Sequence, residues 1–265
     1  MKRIVLFICL LMLLSTGFSY SQTQEGAYLN VDYIKVESAD YSAFEDLIRS
    51  EWKAVYEDQM GEDKMTGWYF YRVAYPGGQS GTYNYVIIST FNELNAIVTN
   101  NEKMRKNLAE LEGGLMDQML DLATHQHSEL WKTEAGVMNT SGQKPGLFVV
   151  MNFMMVNPGK EAEYITLEND MARPLHEARI ENGEMYSWRT YSLLKPGGLN
   201  YKYNFVTADY YEELNHIEYG FTNDLIRSVM PGTDINKMFE AIYATRDIVR
   251  SELWQLVDYL EGHKN

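Results

Sequence analysis

Three side chains that could carry acid–base chemistry lie within the short stretch "ENDMARPLH", from Glu168 to His176. On an α-helix, Glu168 and His176 share one strip of the surface, because residues at steps of four lie on the same face, and Arg173 lies beside that strip. An imidazole gains or loses its proton near neutral pH. We therefore predict that His176 and Glu168 are catalytic residues that move a proton. The alternative interpretation is a solvated helix end with a surface histidine.

Other polar and aromatic side chains are candidates for binding a ligand beside this helix. The aromatic rings belong to the strands that follow it. The polar groups interrupt apolar strands, where a buried polar group needs a hydrogen-bond partner or a ligand. For these polar groups the alternative is a structural network without a ligand. The candidate ligand-binding residues are Arg173, Trp188, Tyr191, Tyr203, Asn152, Asp32 and Asn204.

The sequence gives little support to metal or nucleotide chemistry. His125 and His127 in "HQH" would place two imidazoles on one face of a strand, but no third ligand lies near them in the sequence, so we predict no metal site. The sequence contains no P-loop, no dinucleotide-binding glycine motif after a strand, no HExxH and no GxSxG. Nucleotide hydrolysis, dinucleotide-dependent redox chemistry and the common hydrolase triads therefore have no support.

The stretches that position these residues occur twice in the chain. A shift of 120 positions aligns "WYFYRVAYPGG" from Trp68 with "WRTYSLLKPGG" from Trp188, and a shift of 123 aligns the two "SELW" segments. Two copies of this length indicate a duplicated domain rather than a solenoid. We predict a first repeat at 22–136, a linker at 137–146 and a second repeat at 147–265.

The first helix differs between the two copies in a way that predicts a pocket. Replacing a tryptophan with an alanine leaves room, and Pro174 should bend the second helix by removing one backbone donor. We therefore predict a pocket between helix and sheet in the second copy. The strip Ile48, Trp52 and Tyr56 of the first copy corresponds to Glu168, Ala172 and His176 of the second.

Each copy has the same order of predicted elements. Runs of β-branched and aromatic residues predict strands at "YLNVDYIKV" and "FVVMNFMMV", and apolar residues at helical spacing predict a helix after each. Two strands then flank a Pro-Gly-Gly turn, a helical region follows, and "SELW" belongs to a last strand. Strand, helix, strand, strand, helix, strand is the ferredoxin-like order. The predicted fold class is α+β, with two tandem ferredoxin-like βαββαβ units.

This repeated unit resembles the dimeric α/β-barrel superfamily, in which two ferredoxin-like sheets pack face to face as one barrel. The resemblance covers nearly the whole chain after residue 21 and implies a barrel built within a single chain. It leaves the function open, because the superfamily includes cofactor-free monooxygenases, EthD-like and NIPSNAP-like proteins, and haem enzymes related to chlorite dismutase. The stretches "EWKAVYEDQM" and "GWYFYRVAYPGG" also look like uncharacterised secreted proteins of Bacteroidetes.

The N-terminal residues predict a secretory signal peptide at 1–21. "MKR" is basic, "IVLFICLLMLL" is apolar but too short to span a bilayer comfortably, and small residues follow for cleavage. The mature chain would contain no cysteine, which excludes disulfides and thiol chemistry. Residues 1–21 carry two basic residues and no acid, so their removal changes the formal net charge from −14 to −16. Such a surface disfavours nucleic acid and anionic membranes as partners of an exported, periplasmic or extracellular protein.

Three functions are compatible with the sequence. The first is a soluble exported protein that binds a small apolar or aromatic ligand in a barrel-type pocket. The second is an enzyme of the same fold, either a cofactor-free oxygenase or isomerase that uses His176, or a haem protein with His176 as axial ligand. The third is an assembly module that forms a homo-oligomer and needs no pocket. The sequence names neither the ligand nor the reaction.

Overall fold

The computed structural model describes residues 21–22, 26–60, 65–77, 82–110, 114–139, 145–198 and 200–261. The predicted signal peptide lies outside these residues except for Ser21, so export stays a prediction. The predicted linker lies partly outside them, and the domain bounds also stay predictions. Within these ranges, none of the helices has both the length and the apolar character needed to cross a membrane.

The first unit has the order of elements that the sequence predicts, and a short strand β1 (Ser21–Gln22) precedes it. Strand β2 has the bounds of its apolar run, and the first helix is interrupted by one π-helical turn. The elements are β2 (Tyr28–Val36), a 3-10 turn (Ser38–Asp40), α1 (Tyr41–Leu47), a π turn (Ile48–Trp52), α2 (Lys53–Met60), β3 (Met65–Tyr75), β4 (Tyr85–Phe91), α3 (Leu94–Glu110), α4 (Leu115–Leu122) and β5 (Ala123–Met138).

The second unit repeats this order with a shorter helical region after its third strand. Where the first unit has the 17-residue helix α3, the second has a 3-10 turn, an irregular segment and a short helix. Its elements are β6 (Phe148–Val156), α5 (Glu161–Leu167), a π turn (Glu168–Ala172), α6 (Arg173–Glu181), β7 (Ser187–Lys195), β8 (Phe205–Tyr211), a 3-10 turn (Leu214–Glu218), α7 (Asn223–Val229), α8 (Ile235–Thr245) and β9 (Arg246–Glu261).

Eight antiparallel strands close into one barrel in the order β5-β2-β4-β3-β9-β6-β8-β7, with β7 paired back to β5. The last strand of each unit is 16 residues long. Its first part pairs within its own unit, and its second part crosses to the other unit, as β5 does with β7 and β9 with β3. Each of these eight strands therefore has a neighbour on both sides, which satisfies backbone groups that an open sheet leaves unpaired.

Side chains alternate between the two faces of each strand, so the barrel has an inner core and an outer, helix-covered face. The inner core combines residues of both units, including Trp131 and Trp254, which are fully buried. Two buried carboxyl groups lie among them. Glu129 accepts hydrogen bonds from tyrosine hydroxyls, including that of Tyr33, and Glu252 accepts one from Arg250. Aromatic donors and one cation thus replace the water that these carboxylates lose on burial.

The π turns lie at equivalent places in both units. Proline is therefore not their cause, because the first unit has Ala54 where the second has Pro174. Pro174 is the second residue of α6, which continues from the π turn with helical backbone at Ala172 and Arg173, so its missing N–H removes one possible hydrogen bond inside the helix. A π turn inserts an extra residue and shifts the direction of the side chains around it.

The "HQH" segment belongs to strand β5. The register of β5 against β2 shifts at Gln126, between the partners of Tyr33 and Ile34. His125 therefore faces outward, with Nε2 3.4 Å from Oδ1 of Asp32, and His127 stacks on Tyr33 at the barrel core. The bulge places the two imidazoles on opposite sides of the sheet, so they do not share one face as simple alternation predicts.

Candidate functional site

A cavity of about 320 Å³ lies between the sheet of the second unit and the helices that cover it. Strands β6 and β8 form its floor, and α5, the π turn and α6 form one wall. Its volume is near the lower end of the ~300–1,000 Å³ that is usual for small-molecule sites. The predicted site residues that line it are Asn152, Glu168, His176 and Trp188.

The same space in the first unit is filled by side chains. Trp52 and Tyr56 are 6% and 7% exposed, and Tyr56 stacks on Trp68 at 5.1 Å between ring centroids. In the second unit His176 stacks on Trp188 at 4.8 Å in the same way, but Ala172 leaves the volume of Trp52 empty. At the offset of 120, the residues Ile48, Trp52, Tyr56, Ile87 and Ser89 correspond to Glu168, Ala172, His176, Thr207 and Asp209, which all line the cavity.

His176 is held as a neutral ring. Its Nδ1 lies 3.3 Å from Nη1 of Arg179, and because a guanidinium only donates, Nδ1 is the acceptor and the proton is on Nε2. Burial, followed by the charge of Arg179, lowers the pKa of His176 well below 6.5. The ring lies between Trp188 and Phe221, whose centroid is 4.9 Å away. The expectation that His176 titrates near neutral pH therefore does not hold, because its charged form is disfavoured here.

Two carboxyl groups take the place of the histidine as the groups that titrate near neutral pH. Burial raises the pKa of Glu168 to about 7, against the opposing effects of Tyr164 and Arg246. Burial also raises the pKa of Asp209 to about 6, against the charge of Arg179. The side chain of Asp209 is half-buried, because it faces the cavity. The surrounding protein nevertheless removes much of the water that would stabilise its charge. A group whose pKa lies near the working pH can give or take a proton.

This arrangement predicts that stability falls as the pH rises through the range 4.5 to 7. Below pH 4.5 Glu168 is protonated in both the folded and the unfolded state. Above about pH 7 it is charged in both states, but only in the folded state is the charged carboxylate buried, and this burial lowers the stability of the folded protein. At 1.36 kcal/mol per pKa unit, the cost is about 3 kcal/mol at most. We expect Glu168→Gln to be more stable than wild type in urea at pH 8 and nearly equal at pH 4. The same difference at both pH values would contradict the assignment.

Two arginines that the sequence analysis did not single out also line the cavity. Arg179 donates through Nη2 to the hydroxyl of Tyr211 at 3.2 Å and to the backbone carbonyl of Tyr219. It thus fixes the irregular segment after the 3-10 turn over the cavity. Arg246, the first residue of β9, lies near Glu168, and its Nε is buried without a hydrogen-bond partner in the described part of the chain.

Two predicted pocket residues lie on the other face of the sheet. Tyr191 and Tyr203 belong to the inner core of the barrel. The hydroxyl of Tyr191 lies 3.2 Å from that of Tyr210, and Tyr203 donates to Glu129. Because they face the barrel interior, they do not line the cavity between sheet and helices.

Three further candidates also lie away from the cavity lining. Arg173 begins α6 and does not contribute to the lining, where Arg179 is found instead. Asp32 belongs to the outer face of the first unit, where it accepts a hydrogen bond of 2.5 Å from Ser128. Asn204 bonds the backbone N–H and C=O of Val156, at 2.7 and 3.0 Å, and so extends the pairing of β6 with β8. The structural alternative therefore accounts for Asn204.

Comparison of the two copies could have identified two of the residues that the sequence analysis missed. Asp209 replaces Ser89, and at the offset of 123 that applies near the last strand, Arg246 replaces Ala123. Both are changes from small residues to charged ones at positions that face the helices. Arg179 replaces Gln59, a buried polar residue, which is a weaker signal.

No protein-family model and no curated protein matches the sequence, so the resemblance to secreted Bacteroidetes proteins stays a prediction. Solved structures do match. A candidate monooxygenase from Fusobacterium nucleatum subsp. nucleatum has 10% identity and a TM-score of 0.60, over 89% of this chain and 95% of that one. A candidate monooxygenase from Lactobacillus acidophilus has 10% identity and a TM-score of 0.54, over 90% and 97%.

These likenesses confirm the predicted fold, two ferredoxin-like units that form a dimeric α/β-barrel, here within one chain. At 10% identity they concern the fold alone, and the activity named for those two proteins is theirs. The equal element order and strand register of the two units agree with the predicted repeat, and the duplication itself stays an interpretation of the sequence.

Proposed function

We propose that this protein binds a small aromatic molecule in the cavity of the second unit. The observation that carries the proposal is the difference between two equivalent places in one chain. In the first unit, Trp52 and Ile48 fill the space and complete an apolar core. In the second unit, Ala172 leaves this space open, and Glu168 places a carboxyl group there. Burying a carboxyl group is costly, and a purely structural role does not require one at this position.

The lining suits a flat molecule with a few polar groups. The stacked pair His176 and Trp188 provides an aromatic wall, and Phe221 and Met238 add apolar surface. Rings prefer to pack against rings in offset or edge-to-face geometry, so an aromatic ligand would gain more here than an aliphatic one of equal size. Glu168, Asp209 and the arginines would fix its orientation.

Ala172→Trp is expected to close the site by restoring the side chain that the first unit has. We expect aromatic compounds found by ligand-observed NMR to bind the variant about 100-fold more weakly or not at all, because the tryptophan occupies their volume. The matched control is Ala162→Trp on the exposed face of α5, outside the cavity. Thermal unfolding would establish that both variants fold. Equal binding by both variants would reject the cavity as the site.

Proton transfer at Glu168 is a second candidate function. It is favoured by the pKa of about 7 of this buried carboxyl group beside an aromatic wall. An enzyme of the cofactor-free oxygenase or isomerase type would use such a group to take a proton from a bound substrate. A change in the mass or structure of a bound compound on incubation with the protein would favour this candidate, and unchanged recovery would favour binding alone.

A haem group does not fit this site. The Nδ1 atom of His176 accepts from Arg179, whereas a metal-binding histidine ordinarily donates its second ring nitrogen to a carboxylate or carbonyl. The ring is also enclosed between Trp188 and Phe221. A cavity of about 320 Å³ is small for a porphyrin with its side chains. His176 is therefore a poor axial ligand in this arrangement.

A further inference from the structure

The charged groups of the cavity have unused hydrogen-bonding capacity. A carboxylate can accept about four hydrogen bonds. Within the described residues, Glu168, which is only 8% exposed, lies near the hydroxyl of Tyr164, but that hydroxyl donates to Sδ of Met154, and the half-buried Asp209 has neither a hydrogen bond nor an ion pair. Buried polar groups are almost always satisfied by protein or by ordered water, so donors from outside the chain, either water or a ligand, are expected at Glu168 and at the cavity-facing Asp209.

In the part of the chain that the structure describes, the arginines that line the cavity do not donate hydrogen bonds to the carboxyl groups of Glu168 and Asp209. Arg179 is directed to His176, Tyr211 and the carbonyl of Tyr219, which are all neutral acceptors. Arg246 influences Glu168 through its charge but forms no ion pair with it, and its Nε has no partner among the described residues. Among the residues that the structure describes, the cavity lining therefore has unpaired acceptors on Glu168 and Asp209 and unpaired Nε donors on Arg179 and Arg246.

The remaining lining limits the size and shape of a complementary molecule. The rings of His176, Trp188 and Phe221 contribute aromatic surface to the lining, and a cavity of about 320 Å³ holds a one-ring or two-ring compound with short substituents. An ammonium group has three donors and no acceptor, which matches the two carboxyl groups. A carboxylate can accept two parallel bonds from a guanidinium, which matches Arg246.

We infer that the ligand is a small aromatic molecule of the amino-acid type, whose ammonium group binds between Glu168 and Asp209 and whose acid group binds Arg246. This inference rests on the proposed binding function and specifies its ligand class. Neutral aromatic compounds would use the ring wall alone and leave the charged groups unsatisfied. The class is thus distinguished from a purely apolar ligand by its charges.

Four related probes test the inference in calorimetric titrations at pH 7.5: phenylalanine, phenethylamine, 3-phenylpropionate and the neutral 3-phenylpropan-1-ol. We expect phenylalanine to bind about tenfold or more tightly than the alcohol, since each charge-assisted contact contributes more than a neutral one. In Glu168→Gln and Asp209→Asn the amino compounds should lose about tenfold in affinity, with 3-phenylpropionate bound no more weakly. Arg246→Gln should weaken the two probes that carry an acid group, phenylalanine and 3-phenylpropionate, about tenfold and leave phenethylamine bound no more weakly.

The outcomes separate this inference from the proposed function. If the neutral alcohol binds as tightly as phenylalanine and Ala172→Trp abolishes both, the cavity is a ligand site but the amino-acid class is wrong. The class is also wrong if phenylalanine keeps its advantage in the charge variants, or if none of the four probes binds. If phenylalanine binds equally to wild type and Ala172→Trp, the cavity itself is not the site.

Discussion

Replacing Trp52 with alanine, the residue that the second unit has at the equivalent position, is expected to lower the free energy of unfolding by about 3–5 kcal/mol. Trp52 is 6% exposed in a core of the first unit that also contains Tyr56, Ile48 and Trp68. Its removal takes away a large buried apolar surface and leaves a cavity that the surrounding helices and sheet cannot fully close. Urea unfolding monitored by circular dichroism would measure the loss.

The matched comparison is Ala172→Trp, which makes the reverse change in the second unit. We expect its cost to be much smaller, because the cavity already has room for the added ring, although imperfect fit still costs up to about 1–3 kcal/mol. If the two variants were equally destabilised, the space beside Ala172 would be too small for the added ring, which would contradict an open cavity at this position. A large cost at Trp52 with a small cost at Ala172 would support an open space kept for a ligand.

The strands and the location of the cavity could be predicted from the sequence because both rest on local patterns. The runs "YLNVDYIKV" and "FVVMNFMMV" are strands from end to end, as β-branched and aromatic residues favour. The cavity follows from a single change of volume, Trp52 to Ala172, at a position that the helical spacing directs toward the sheet. The strand-forming runs occur in both copies, and the change of volume is visible because the two copies can be compared.

The composition of the site was harder to predict because side-chain direction depends on register. Trp188 and Tyr191 are three residues apart in one strand, so alternation places them on opposite faces, Trp188 toward the cavity and Tyr191 into the barrel. The direction of Arg246 depends on where α8 ends, because α8 stops at Thr245 and Arg246 begins β9, and the ends of helices are the part of secondary structure that sequence patterns locate least well.

The environment of His176 was beyond the reach of sequence patterns. Its low pKa results from burial and from Arg179, and both depend on how α6 packs against the sheet. The same packing raises the pKa of Glu168. A histidine and a glutamate on one helical strip thus exchange the roles that their ordinary pKa values suggest, because the low dielectric of the site favours the neutral form of both.

Removing the cation beside one buried carboxylate of the barrel core is expected to cost about as much as opening a cavity. Arg250 donates through Nε to Glu252 at 2.8 Å, and its guanidinium lies 3.6 Å from the ring centroid of Phe153. The side chain of Glu252 is fully buried. Arg250→Met would leave this charge without its cation, which typically costs about 3–5 kcal/mol. Chemical denaturation at pH 7 would measure the loss.

The other unit provides the control, since His127 occupies the position equivalent to Arg250 and Glu129 that of Glu252. Burial lowers the pKa of His127, so its ring is neutral at pH 7, and Nε2 lies 3.8 Å from Glu129, which is held by tyrosine and tryptophan donors instead. We expect His127→Gln to cost about 1 kcal/mol, mainly through its lost stacking on Tyr33.

A double variant would identify the unpaired charge as the cause. Adding Glu252→Gln to Arg250→Met removes the buried charge that the single variant leaves behind, so part of the lost stability should return. If the double variant is no more stable than Arg250→Met, the arginine acts through its packing on Phe153 and Tyr203 and not through the carboxylate. Recovery would instead mean that the two ends of the barrel core satisfy equivalent carboxylates by different means, because Glu252 has a cation in addition to tyrosine and tryptophan donors and Glu129 is held by neutral donors.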